Sequence, residues 1–123
     1  MGLVRALLDT NILIDYLNGV DAAREELLRF TQLLISPISW MEVMVGVSSE
    51  DEPAVSQFLG GFRQVEINPK VAERAVDIRR LHKMRLPDAI IWASAQCESA
   101  LLVTRNGKDF PSEDPGVRIP YDV

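Results

Sequence analysis

Three short apolar runs set the architecture open to this chain. Leu3–Leu8, Gln32–Ser36 (through Leu33, Leu34 and Ile35) and Leu101–Thr104 are too short for buried helices and lack the alternation of a strand with one wet face. They read as strands of a parallel sheet covered on both faces. Gln64–Ile67 reads as another short strand, and Val117–Ile119, just before Pro120, as an edge strand.

The segments between them have helical character. Thr10–Leu17 carries Ile12, Leu13, Tyr16 and Leu17 at helical spacing and stops at Asn18-Gly19. Asp21 reads as the cap of a second helix, with Glu25 and Glu26 near its first turn and Leu27, Leu28 and Phe30 as apolar contacts near its end. Ser39 opens a third helix reaching about Val47, and Pro53–Leu59 forms a fourth, stopped by Gly60-Gly61. Asn68-Pro69 supplies a cap and first position for a helix to about Lys83. Pro87-Asp88 starts a last helix to about Glu98, apolar nearly all round and therefore buried. Strands alternating with helices predict an α/β fold, a central parallel sheet of four to five strands with helices on both faces. With 123 residues, no repeat and no linker, residues 1–123 read as one domain.

Composition removes several function classes. At 47% hydrophobic residues and a net charge of −5 the chain is neither disordered nor a broadly basic nucleic-acid binder. The charge is uneven, however: between Lys70 and Arg85 six basic residues face two acidic ones. That stripe is either a solvated helix face or a guide for a polyanion. Cys97 is the single cysteine, which excludes an internal disulfide and a multi-cysteine zinc site; it reads as a small apolar residue. His82 has no second histidine at ligand spacing, and Trp40 and Trp92 read as anchors. No run approaches the length of a membrane span, the run from Met1 to Leu8 meets Asp9 too soon for a signal peptide, and Ala6 stands where myristoylation needs Ser or Thr. The expectation is a cytoplasmic chain that does not engage membranes. G-x-S-x-G, P-loop and G-x-G-x-x-G patterns are all missing.

Four carboxylates stand out instead. Asp9 follows the first strand, Glu42 and Asp88 lie near the starts of helices, and Asp109 lies just beyond Thr104. In a parallel sheet all four can converge beyond the strands' carboxyl ends, where ligands gather. Four such acids repel one another unless a hard divalent cation joins them. Each has a plainer use: Asp9 and Asp88 at helix N-termini, Glu42 in a capping box with Ser39, Asp109 paired with Lys108 or Arg105.

In order along the chain, the segments Asp9-Thr10-Asn11-Ile12-Leu13-Ile14-Asp15, Ser39…Glu42, Leu86-Pro87-Asp88-Ala89-Ile90-Ile91-Trp92-Ala93 and Leu102-Val103-Thr104-Arg105-Asn106-Gly107-Lys108-Asp109-Phe110 resemble the four motifs of PIN-domain ribonucleases. The tail Pro115–Tyr121 is similar as well, and the likeness is greatest to VapC-type toxins of bacterial toxin–antitoxin modules. The resemblance implies a three-layer PIN-like sandwich, Mg2+- or Mn2+-dependent cleavage of single-stranded RNA, a homodimer, and an antitoxin partner through which alone DNA is met. Asp9, Glu42 and Asp88 match the family's acidic positions; the fourth falls to Asp109 or to Asn106.

The reading that results is an RNA endonuclease. Asp9 and Asp88 hold the metal, Glu42 orients or deprotonates the attacking water or binds the metal through water, and Asp109 or Asn106 supports these ligands from behind or completes a second metal site. Thr10, Asn11 and Thr104 hydrogen-bond carboxylates or phosphate, while Arg79, Arg80, Lys83, Arg85 and Arg105 guide the RNA backbone. The alternative is a catalytically weak binding module acting through its antitoxin on DNA. A phosphatase-like hydrolase ranks last, because Asp9 is followed by Thr10-Asn11 and not by a second aspartate in Asp-x-Asp spacing.

Overall fold

A computed structural model describes residues 4–122. The expected strand start at Leu3 and the Met1-Gly2 reading lie outside the described residues. Five strands form one parallel sheet: β1 (Arg5–Leu8), β2 (Gln32–Ile35), β3 (Arg63–Gln64), β4 (Leu101–Val103) and β5 (Val117–Arg118), in the order β3-β2-β1-β4-β5. β1 is central, with Leu7 in register with Leu34 of β2 and Leu102 of β4.

Alternation along these strands sorts the core into two faces. Leu7, Leu34, Leu102 and Val117 point to one side, where α5 (Pro69–His82) and α6 (Leu86–Cys97) bring Val71, Ala75, Ile78, Ile91 and Trp92. Ala6, Leu8, Ile35 and Val103 point to the other, against Ile12 and Leu13 of α1 (Thr10–Leu17), Leu27 of α2 (Asp21–Leu27), Val43 of α3 (Pro37–Val45), and Val55 and Leu59 of α4 (Glu52–Gly60). The result is the expected three-layer arrangement with helices on both faces.

Local chemistry explains the boundaries. α1 ends at Asn18, and Gly19 turns the chain at φ +80, a left-handed conformation that glycine adopts freely. Asn68 accepts from the Val71 amide at 2.9 Å and Pro69 opens α5. α5 closes on Lys83, left-handed at φ 55 without being glycine. α6 is buried almost all round, and its Trp92 meets Phe110 edge-on at 6.0 Å between ring centroids.

Five expectations need correction. α3 starts at Pro37, not Ser39: Ser36 caps it by accepting from the Ile38 amide at 3.1 Å, and proline fills the first helical position. The proposed capping box of Ser39 and Glu42 therefore does not form, and Ser39 lies buried inside the helix. Asp21 is the first residue of α2, whose cap is Val20. β3 is two residues long rather than Gln64–Ile67, because the chain leaves the sheet to reach the α5 cap. Leu28 does not contribute to the core, being 79% exposed.

Candidate active site

The sheet order reverses between β1 and β4: the chain builds outward from β1 to β2 and β3, then returns to place β4 on the other side. Crevices at such reversals open beyond the strands' carboxyl ends. Here the residues just past the two strands, Asp9 and Thr104, face each other. The Asp9 amide donates to the Val103 carbonyl at 2.9 Å, and the Thr104 hydroxyl donates to Asp9 Oδ2 at 2.7 Å.

Asp9 is 5% exposed and fully partnered. Its Oδ1 accepts from the Thr10 amide at 2.8 Å, which also makes it the cap of α1, and its Oδ2 accepts from Asn11 Nδ2 at 3.2 Å. Burial pushes its carboxyl up to about 6. The hydrogen bonds from Thr104 and Thr10 oppose that rise, and the charges of Asp88 and Glu42 add to it. Asp9 thus caps α1 while its carboxylate feels the charges of Asp88 and Glu42.

Asp88 sits in the first turn of α6 and is also buried. Desolvation raises its carboxyl, the Arg85 guanidinium 3.5 Å away lowers it, and the charges of Asp109 and Glu42 raise it again. Asp88 and Glu42 thus act on Asp9, and Asp109 and Glu42 act on Asp88. Glu42 is exposed and held by the Thr10 hydroxyl, which lies 2.6 Å from its Oε1 and 3.0 Å from Ser39 Oγ. With one proton to give, the Thr10 hydroxyl serves the carboxylate and takes its other bond from Ser39.

Asn106 and Asp109, the two candidates for the fourth position, are bonded to each other. Asn106 Nδ2 donates to Asp109 Oδ2 at 2.8 Å, and the Asp109 amide donates back to Asn106 Oδ1 at 3.3 Å. The Asn106 amide in turn donates to Thr104 Oγ1 at 3.0 Å, tying this loop to Asp9 through one hydroxyl. Asn11 makes a second tie, its Oδ1 accepting from the Arg105 amide at 3.1 Å.

The expected cationic residues part company. Arg79, Lys83 and Arg85 are exposed around the end of α5 and the start of α6, close in the chain to Asp88. The Arg105 guanidinium, half-exposed, is already engaged: its Nε and Nη2 donate to the two oxygens of Asp15 at 2.6 and 3.1 Å. Asp15, buried on α1, also accepts from the Tyr121 hydroxyl at 2.8 Å. Sequence reasoning missed Asp15, Tyr121 and Ser39. The available signal was Asp15 itself, a charge among the apolar residues of α1.

The donor set suits a hard cation, consisting of carboxylate and hydroxyl oxygens without sulfur or imidazole. Among the described residues no three acidic, histidine or cysteine side chains form a complete ligand cluster. Two carboxylates with water filling the remaining positions is the arrangement Mg2+ commonly keeps.

Residues 6–112 match the PIN domain family. The chain is 34% identical over 113 residues to Ribonuclease VapC10 of Mycobacterium tuberculosis, covering 85% of each. It is 45% identical to a chain of a toxin–antitoxin complex from Klebsiella pneumoniae, covering 96% of this chain and 99% of that one at a TM-score of 0.91. At 24% identity it also shares its fold with VapBC2 from Rickettsia felis bound to a promoter DNA fragment, covering 93% and 96% of the two chains at a TM-score of 0.75. A buried aspartate at the strand reversal, three further acids around it, and a match spanning most of the sequence lead to one assignment: the chain is a VapC-type member of the PIN domain family.

Proposed function

We propose that the protein is an endoribonuclease that hydrolyses phosphodiester bonds of single-stranded RNA with Mg2+ or Mn2+, as the toxin of a toxin–antitoxin pair. The observation that carries this reading is the convergence of Asp9, Glu42, Asp88 and Asp109, with Asp9 and Asp88 both raised by burial and by neighbouring carboxylates. Relatives named for ribonuclease activity and for toxin–antitoxin assembly support it.

Asp9 and Asp88 would hold the ion. When bound, it stabilises negative charge on the phosphate and lowers the pKa of attacking water. Thr104, Asn11 and the Thr10 amide fix the rotamer of Asp9, so its carboxylate is aimed before substrate arrives. Glu42, exposed and steered by the Thr10 hydroxyl, orients the water and accepts its proton. The Asn106–Asp109 unit completes the acidic rim, and Arg79, Lys83 and Arg85 draw the RNA backbone toward it. The partner of this reading is an antitoxin, which would supply the DNA-reading surface that this acidic chain lacks. The reading carries with it a cytoplasmic location for the chain. No described helix is long and apolar enough to cross a membrane.

The test is cleavage of single-stranded RNA by purified wild type and Asp9→Asn, with Mg2+ and with EDTA. The expected result is cleavage by the wild type alone and only with the ion. Equal cleavage by both proteins, or cleavage indifferent to EDTA, would sink the mechanism. An inactive wild type that binds no Mn2+ would favour the binding-module alternative.

A further inference from the structure

Among the described residues, two further buried carboxylates lie outside the proposed centre, Asp15 and Glu26, and the one at Asp15 adjoins the centre. Asp15 lies on α1 six residues beyond Asp9 and receives three hydrogen bonds from two distant parts of the chain. Arg105, immediately after Thr104, grips it with both arms of its fork, and Tyr121, near the end of the described chain, donates its hydroxyl. The bonds raise Arg105 above its usual value, and burial with the Asp15 contact pushes the Tyr121 phenol well up. A buried carboxylate gripped in this way is expensive to assemble, and an apolar trio of similar volume would often be as stable. Its value must therefore be sought in geometry.

Geometry supplies it. Arg105 sits between Thr104, which bonds Asp9, and Asn106, which bonds Asp109. Its own amide is bonded to Asn11, whose Nδ2 bonds Asp9. Fixing the Arg105 side chain on α1 thus fixes both flanking residues relative to the helix that Asp9 caps. Phe110, fully buried against Trp92, anchors the far end of the same loop. A six-residue segment held at its ends, Arg105 and Phe110, leaves Asn106 and Asp109 little freedom between.

We infer that Asp15, Arg105 and Tyr121 form a positioning clamp that sets the Thr104–Asp109 segment against α1, so that the acids contributed by the two ends of the chain meet in working register. They are positioning residues: none is placed against the reacting phosphate. The inference rests on the proposed RNA cleavage for its kinetic arm only.

The experiment uses the full chain with Arg105→Lys, which keeps charge but loses the fork, and Tyr121→Phe, which loses one hydrogen bond and keeps the ring. A third variant, Arg118→Lys, is the control. Arg118 makes an equivalent fork on buried Glu26 of α2, with bonds at 2.5 and 3.0 Å. Its carbonyl accepts from the Thr104 amide at 3.0 Å, a backbone bond that the substitution keeps, while its side chain bonds Glu26 and not the loop. Two readouts are taken: RNA cleavage at saturating Mg2+, and amide hydrogen exchange without metal or RNA. Arg105→Lys should lower kcat on the order of tenfold with KM within about twofold, the size expected of a sub-ångström misplacement. Tyr121→Phe should lower it by less, and Arg118→Lys should leave it unchanged. The Arg105 and Asn106 amides should exchange faster in the first two variants while the Leu102 amide, bonded to Gly116 in the sheet, stays protected. Unaltered loop exchange, or an equal kcat loss in Arg118→Lys, would overturn the clamp. A wild type that fails to cleave RNA overturns the function and leaves the exchange data to decide the clamp alone. Should Arg105→Lys not fold, the same two readouts on Tyr121→Phe decide it.

Discussion

The Thr104 hydroxyl donates to Asp9 Oδ2 at 2.7 Å across the seam between β4 and β1, and accepts from the Asn106 amide at 3.0 Å on its other side. One buried hydroxyl therefore both holds the most buried acid of the site and orders the loop that carries Asp109. Thr104→Val keeps the shape and removes both bonds. A hydrogen bond to a charged group contributes about 1.5 kcal/mol or more, so the Asp9 carboxyl should rise by about one unit from its value near 6. The acid limb of the pH dependence of RNA cleavage should move up by the same amount. An acid limb that stays in place would remove Asp9 as the group that controls it.

The raised Asp9 carboxyl also makes a stability prediction. Its ordinary value is 3.8 and its folded value about 6, so the folded state holds this proton more tightly than the unfolded state. Metal-free protein is then favoured by protonation at low pH. That advantage is lost as pH rises from 3.8 through 6, and a shift of this size corresponds to about 3 kcal/mol. Asp9→Asn does not pay this penalty. It should be more stable than wild type at pH 7 in EDTA by about 1 to 2 kcal/mol, less than the full amount because an amide cannot accept from all three donors. Urea unfolding of both proteins at pH 7 and pH 4 measures it; an equally stable pair at pH 7 would contradict the assigned cost of burial.

Metal binding should reverse that cost. At a hundredfold excess over its dissociation constant an ion that binds only the folded state stabilises by about 2.7 kcal/mol. Mn2+ should raise the wild-type melting temperature by several degrees, and Asp9→Asn or Asp88→Asn should abolish the rise. A rise that survives in Asp88→Asn would locate the ion elsewhere.

The exposed cations near Asp88 predict a salt dependence. Single-stranded nucleic acid releases about 0.7 counterion per neutralised phosphate. Arg79→Glu with Lys83→Glu should therefore weaken RNA binding and flatten the plot of log affinity against log salt by about 1.4 if each residue meets one phosphate. An unchanged slope would show that this end of α5 is only a solvated face. Arg105→Glu is excluded from that series, because its guanidinium is engaged with Asp15.

What the sequence revealed follows physical range. α1 was legible to the residue, since Asp9, the apolar spacing and Asn18-Gly19 are all local signals. The start of α3 falls at Pro37 rather than at the expected Ser39, and proline at the first helical position is the local signal for it. The convergence of Asp9, Glu42 and Asp88 was legible because a parallel sheet brings such positions to one edge. The fate of Arg105 was not. Its partner lies 90 residues earlier, and nothing local distinguishes an arginine bound to a buried aspartate from one facing solvent. Asn106 and Asp109 looked like rivals because sequence cannot show two side chains bonded to each other.

The pairing of β1 with β4 has a further consequence for how this chain comes into being. Leu8 aligns with Val103, so the two central strands can join only after nearly the whole chain has been made. Closing so long a loop is entropically costly and slow compared with forming the helices between. A fragment ending before Leu101 carries Asp9, Glu42 and Asp88 but lacks the Val103 carbonyl and the Thr104 hydroxyl that fix Asp9. The centre is thus assembled by one late, long-range step, and an unfinished chain lacks it.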